Sequence, residues 1–478
     1  MTLPFLCFAD FLLSLHSQKK KSLVKAVDKT KELETKPIKS LLWTYALPAV
    51  ISQVIASLYN IADRIFIGQG VGALAIAGLA ITMPMMNIIH AFGSLIGVGS
   101  ASRMSIVLGK KDVNWAENIL GNSTILTFLL GGTVMTCCYL FMNNILTLFG
   151  ATADTIAYAR EYMIIVLPGM FLTTLTFNLT GLIRASGYPR KSMYILAGGA
   201  ILNMLLDPIF IFALDWGIQG AALATTISMT TTAIVATLHF VSTDSFIRFK
   251  AHAWKIKLYI FRNIMLIGMS PFLMNFAAAG VVAILNKQLI RYGGDLAVGA
   301  FGIVGTFVNL MVLFVLGICQ GMQPIAGYNY GAGHQHRLRE VYFLTLKICV
   351  CIGFAASAIC LLFPEQLMQI FTTDRELINI GKNAIRYVLV LSPLIAFTIT
   401  NSNFFMSIDK PAIAIITSLS RQVLFLTPLS FLFPIVMLKL GLDGLNGVWL
   451  ANTGSDIAGA MLAAFLLYRQ RHVFGKWK

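Results

Sequence analysis

The stretch LLWTYALPAVISQVIASLYNIADRIFIGQGVG, residues 41–72, decides how the chain is read. An apolar run of about twenty residues is long enough to cross a bilayer. This one continues to Gly68 with a single carboxylate inside it, Asp63. An ionisable group within a spanning helix is expensive unless paired or hydrated, so Asp63 marks a candidate site. The plainer alternative is a local ion pair with Arg64 at the membrane surface.

The rest of the chain has the same character. Its 478 residues are 57% hydrophobic and 12% charged, and its mean hydropathy is +0.78. A soluble domain carries about a quarter charged residues, so the composition is that of an all-α polytopic membrane protein in a lipid bilayer. A formal charge of +16 invites nucleic acid as a partner, but the placement of the basic residues excludes it. Six of the seven cysteines lie in apolar segments and none forms a CxxC pair, which points to packing rather than metal or disulfide chemistry. No cofactor is expected.

Twelve apolar segments occur, at 41–68, 75–107, 117–142, 158–184, 192–214, 218–241, 263–291, 297–330, 341–363, 382–407, 412–438 and 446–468. With both ends of the chain inside, 24 lysines and arginines fall on the inner side and 5 on the outer. That asymmetry predicts cytoplasmic termini. Residues 1–40 read as a basic, mostly mobile tail and 469–478 as a second basic tail. A basic linker, 242–262, divides bundles at 41–241 and 263–468 and is the expected hinge.

An internal repeat supports the division. Pro48 and Pro271 stand 223 residues apart, Leu74–Gly78 returns as Leu296–Ala300 at 222, and Gly187-Tyr188-Pro189 returns as Asp409-Lys410-Pro411 at 222. A nearly constant offset predicts two pseudo-symmetric six-helix bundles of equal orientation, which transport by rocking about a central cavity. The two halves differ in charge. Asp63 maps onto Asn286 and Asp207 near Leu429, so the carboxylates concentrate in the first half.

Counting 1.5 Å per residue from the outer helix ends places Asp63, Asp207 and Thr225 about 8–12 Å deep. Asn203 sits one turn from Asp207 on the same helix face. Two carboxylates, an amide and a hydroxyl at one depth suit a small hard cation or an exchangeable proton, and oxygen donors alone disfavour a transition metal. The alternative is that Asn203 and Asp207 cap a broken helix beside Pro208 while Thr225 bonds its own backbone.

Specific stretches carry a resemblance. They are Tyr59-Asn60-Ile61-Ala62-Asp63-Arg64-Ile65-Phe66-Ile67-Gly68, Leu182-Ile183-Arg184-Ala185-Ser186-Gly187, Asn203-Met204-Leu205-Leu206-Asp207-Pro208 and Gly327-Tyr328-Asn329-Tyr330-Gly331. Together they resemble the multidrug and toxic compound extrusion family, in its bacterial branch similar to DinF and MepA. The resemblance spans about 41–470. It implies a monomeric antiporter of the bacterial inner membrane that exports amphipathic, often cationic, compounds against an inward flow of sodium ions or protons. It implies a cation site at Asp63, Asn203, Asp207 and Thr225. Tyr59 and Asn178 match polar positions near that site, and Asn275 and Asn286 stand on the seventh helix where some relatives carry acids. Those four are the expected polar lining of the substrate cavity. A flippase or exporter of a lipid-linked or polar metabolite would share the architecture but would need a more cationic cavity. A membrane enzyme lacks support, since there is no HExxH and no Ser/His/Asp pattern.

Overall fold

Backbone polar groups cannot remain unpaired in lipid, and long apolar segments therefore fold as helices. The structure, a computed structural model, describes residues 31–152, 155–243 and 245–475, with the side chains of 73, 74 and 279 left aside. Regular structure among the described residues is helical throughout.

Six spans form the N lobe: α1 Ile38–Gly70, α2 Ala73–Gly109, α3 Val113–Leu140, α4 Ile156–Ala185, α5 Pro189–Ala213 and α6 Gly217–Val241. The next helix runs unbroken by hydrogen-bond pattern over Leu258–Gly331, but Gly294 has φ 67° and ψ −165°. Only glycine adopts such a backbone readily, so this is a corner between two spans, α7 at 258–293 and α8 at 295–331. The C lobe continues with α9 Gln335–Leu362, α10 Arg375–Leu389 plus Ser392–Ser407 bent by 47°, α11 Pro411–Lys439 and α12 Gly444–Arg469. All twelve expected segments are therefore spans, in two bundles of six.

Buried apolar side chains fall into three groups, and these define the shape. One group joins the lobes at the helix ends that carry the termini, with Leu41, Leu95 and Leu182 of the N lobe against Ile264, Met322 and Phe404 of the C lobe. The second, with Leu79, Tyr162 and Ile218, belongs to the N lobe alone. The third, with Leu285, Ile385 and Trp449, belongs to the C lobe alone. Both lie toward the opposite helix ends. The lobes therefore meet at the terminal end and part toward the other, leaving a cleft between α1 and α2 on one side and α7 and α8 on the other.

Close packing makes that junction. Lipid tails are as apolar as leucine, so association inside a bilayer depends on backbones approaching closely at small residues. A Cβ on Gly268 of α7 would strike the Leu95 carbonyl of α2, and one on Gly99 of α2 would strike the Ile264 carbonyl of α7. Gly321 and Gly317 of α8 press on Ala46 and Val50 of α1. Polar contacts add to it. Arg103 pairs with Asp409, Ser102 Oγ donates to the Met406 carbonyl at 2.6 Å, and Gln323 Nε2 donates to the Val98 carbonyl at 3.3 Å.

Two expectations about the connecting segments need correction. Residues 31–40 are not a loose tail. Leu33 is fully buried, its carbonyl accepts from Asn329 Nδ2 and Arg337 Nη2, and Glu34 pairs with Lys111 at 3.5 Å. The tail reading of 1–30 lies outside the described residues. At the other end Val473 and Phe474 are buried, the latter stacked on Phe404 with centroids 5.5 Å apart; residues 476–478 lie outside the described residues. The linker is also fastened rather than free. Asn122 of α3 donates to the carbonyls of Ala253 and Lys255 and accepts from the Lys257 amide at 2.8 Å. Lys250 and His252 both reach the buried Glu117. The linker is thus held against α3 of the N lobe.

Candidate functional site

The cluster in the N lobe is built where α1, α5 and α6 meet. On α5, Asn203 and Asp207 share a face by their spacing of four, and Pro208 follows. Proline lacks an amide hydrogen and crowds the preceding turn, and the helix widens here into a π-helical stretch, Ile209–Ala213. Such stretches recur at functional sites. The α5 face turns inward, and Asn203 and Asp207 are both buried.

Asn203 ties the site together. In the amide orientation that satisfies every neighbour, its nitrogen donates to Asp207 Oδ2 at 2.8 Å, while its oxygen accepts from the Thr225 amide at 3.1 Å and the Thr225 hydroxyl at 3.2 Å. Thr225 on α6 is buried as well. Asp63 approaches from α1, close enough for its charge to act on Asp207. It is 7% exposed, and its Oδ1 has no hydrogen-bond partner among the described residues. Phe66 meets Phe212 edge to face, centroids 6.3 Å apart, one helical turn beyond Asp63 on α1. The structure therefore joins Asn203, Asp207 and Thr225 by hydrogen bonds where α1, carrying Asp63, packs on α5 and α6.

Tyr59 lies one turn before Asp63 on α1 and is half-buried. Tyr162 of α4 completes the wall. It is fully buried and packs in the same apolar group as Ile67 of α1, Ile211 of α5 and Ile218 of α6. Sequence reasoning missed Tyr162. The available signal was a phenol amid an apolar span, whose hydroxyl needs a partner when buried.

The remaining expected residues scatter. Asn178 has no exposed surface. Its Oδ1 accepts from Ser100 at 2.6 Å and its Nδ2 donates to Ser123 and Thr127 at 3.2 and 3.3 Å. All its capacity joins α2, α3 and α4, and it opens on no cleft in this conformation. Asn275 on α7 reaches Ser94 of α2 at 3.5 Å, so it stands where the cleft closes. Asn286 is half-buried farther out on α7, with its Oδ1 unpartnered among the described residues.

In chemical terms the cluster holds two carboxylates with no lysine, arginine or histidine nitrogen within 4 Å among the described residues. Neutral donors satisfy part of one. The C lobe contrasts. Arg421, in the π-helical stretch Ser420–Leu426 of α11, meets the buried Asp456 of α12 with Nε to Oδ1 at 2.5 Å.

Comparison with known proteins agrees with this architecture. The MatE family model matches residues 48–209 and 264–432. The multidrug export protein MepA of Staphylococcus aureus strain MRSA252 is 25% identical over 437 residues, covering 91% of this chain and 95% of that protein. A crystal structure of MATE in the bent conformation superposes with a TM-score of 0.86 at 26% identity, covering 93% of this chain and 97% of that one. A transporter of the MOP superfamily from Pyrococcus furiosus, whose structure is described as having a binding pocket of reverse polarity, superposes at 0.85 with 25% identity, covering 96% and 100%. The family match on both halves, the twelve spans and the two-lobe cleft lead to one conclusion: the chain belongs to the MatE family and is a MepA-like membrane transporter.

Proposed function

We propose that the protein is a monomeric, cation-coupled exporter of amphipathic compounds in a bacterial inner membrane, working by alternating access. The observation that carries this reading is the pair of buried carboxylates, Asp63 and Asp207, the latter bonded through Asn203 to Thr225, with no lysine, arginine or histidine nitrogen within 4 Å of either among the described residues. An uncompensated pair of that kind is stable when it holds a proton or a sodium ion. The MepA relative is named for multidrug export, which supports the same reading.

The terminal end is cytoplasmic on the distribution of lysine and arginine, so the cleft opens outward in this conformation. Coupling follows if the occupied and empty cluster favour different lobe arrangements, because a ligand shifts an equilibrium only by its differential affinity for the two states. The cluster lies between α1, α5 and α6, and α1 also packs on α8 at the junction. A change in charge at Asp63 thus acts on a helix that both lines the cleft and closes it. Asn286 lines the substrate cavity and Asn275 its floor, while Asn178 acts as an interhelical joint. The test is drug transport into proteoliposomes with sodium and proton gradients imposed separately. Gradient-driven transport is expected in the wild type and absent when Asp63 and Asp207 are both replaced by Asn. Transport indifferent to both gradients would remove the reading.

A further inference from the structure

Ionisable groups within spans almost always turn into the bundle or pair with one another. Lys347 of α9 does neither. It lies six residues inside the apolar segment that begins at Val341, about 9 Å along the helix. It is exposed and makes no ion pair among the described residues. An exposed stripe at helical spacing runs along α9 from His336 through Glu340, Phe343 and Lys347 to Phe354.

This stripe belongs to the perimeter and not to the cleft. Val341, Tyr342, Thr345 and Cys349 on the other side of α9 are buried. Leu346 and Ile348, the neighbours of Lys347, pack against the apolar group that joins the lobes. The lobes are in contact at this depth, so bare surface on α9 faces outward. Farther along, the stripe is apolar, and Phe354 is 62% exposed, as suits acyl chains.

The internal repeat shows that the fold does not require a basic stripe. α3 and α9 begin at Val113 and Gln335, 222 residues apart, so Arg339, Phe343 and Lys347 correspond to Glu117, Gly121 and Ile125. In the N lobe that face is covered by the linker. A Cβ on Gly121 would strike the Ala253 carbonyl, and Lys250 and His252 reach Glu117. In the C lobe the segment after α12 reaches the first turns alone, where Phe474 meets Tyr342 and Phe343 at centroid distances of 5.2 and 5.9 Å. Beside it a groove of about 520 Å³ runs past Arg339, Phe343 and Lys347. The Arg339 guanidinium lies 5.9 Å from the centre of the Phe343 ring. Glu340 lines the same groove, seven residues from Lys347 toward the helix start, which is about 10 Å.

We propose that this face of α9 binds an anionic phospholipid from the leaflet on the side of the termini. Its phosphate sits between Arg339 and Lys347 and its chains lie along the apolar stripe. A lysine stem buries itself on apolar surface and carries its ammonium back to the interface, and basic pockets at that level suit lipid head groups. A zwitterionic head brings its own cation to a place that already holds two, so the anionic lipid is preferred. The site is separate from the coupling cluster and does not depend on the exporter reading.

The test puts a reporter in the groove of the full-length protein, Phe343→Trp, and reconstitutes it in phosphatidylcholine vesicles. Phosphatidylglycerol or phosphatidylcholine with brominated chains is then titrated in, and quenching is compared with that of the parent protein. Phosphatidylglycerol is expected to quench the added tryptophan at about fivefold lower mole fraction, the effect of one basic residue near the surface. Lys347→Leu, which suits an apolar span, should erase the preference, and Arg339→Gln should remove part of it. Equal quenching by the two lipids, or a preference unchanged in Lys347→Leu, overturns the proposal. Relief of quenching by inorganic phosphate at constant ionic strength would assign the groove to a soluble anion and also overturn it. Native mass spectrometry gives a readout without the reporter. The unaltered protein should retain phosphatidylglycerol over phosphatidylcholine, and retention as strong in Lys347→Leu would sink the site.

Discussion

The two lobes share a helical plan but treat buried charge in opposite ways. In the N lobe the seam of α1, α5 and α6 holds two carboxylates and, among the described residues, no basic nitrogen within 4 Å of them. In the C lobe the seam of α11 and α12 holds one carboxylate and an arginine already joined to it at 2.5 Å. A buried ion pair is self-contained and stays put, whereas a buried pair of like charges requires something mobile. On the proposed reading, the exchange of ions belongs to the N lobe, and the C lobe is the counterpart against which it works.

The largest effect should come from removing the mobile charge. Asp63→Asn with Asp207→Asn keeps size and hydrogen bonding but abolishes the demand for a cation. Gradient-driven transport in vesicles is expected to fall to background while substrate binding persists. If the double variant still pumps at the wild-type rate, the contrast between the lobes has no functional meaning.

Next in size is the junction that lets the lobes work against each other. Gly268→Leu places a side chain against the Leu95 carbonyl, so the terminal end should no longer close. Transport is expected to drop by about tenfold or more, since backbone contact of this kind tolerates no added bulk. Cysteines placed at the junction should become reactive from the terminal side. Gly302→Ala, where a Cβ meets open space, serves as the control and should leave both readings unchanged.

The C-lobe pair should matter for stability rather than coupling. Asp456→Ala leaves Arg421 uncompensated and is expected to cost about 3–5 kcal/mol, while replacing both partners by apolar residues of similar volume should be near neutral. Chemical unfolding of the purified protein measures the first, and ion-driven transport by the double variant checks that coupling survives. Loss of coupling in a stable double variant would show that the C lobe also handles ions.

The smallest change is expected at Thr225→Ala. One neutral oxygen is lost, Asn203 keeps its bond to Asp207, and water can take the vacated place. A drop of a few-fold in the coupled rate, with no loss of folded protein, would rank Thr225 below the two carboxylates as intended. A loss as complete as that of Asp207→Asn would place the hydroxyl among the essential ligands.

The sequence by itself determined the spans, their pairing into two lobes and the depth of the polar residues. Those properties follow from apolar length, a constant repeat offset and a fixed rise per residue, all of which are one-dimensional. Direction was a different matter. Asn178 was read as cavity lining, yet it closes a three-helix joint with Ser100, Ser123 and Thr127. Tyr162 was invisible because its relation to Asp63 crosses from α4 to α1. Arg64 was read only as a neighbour that neutralises Asp63. Residues adjacent in a helix point about 100° apart, so packing alone decided that the aspartate is buried and the arginine exposed.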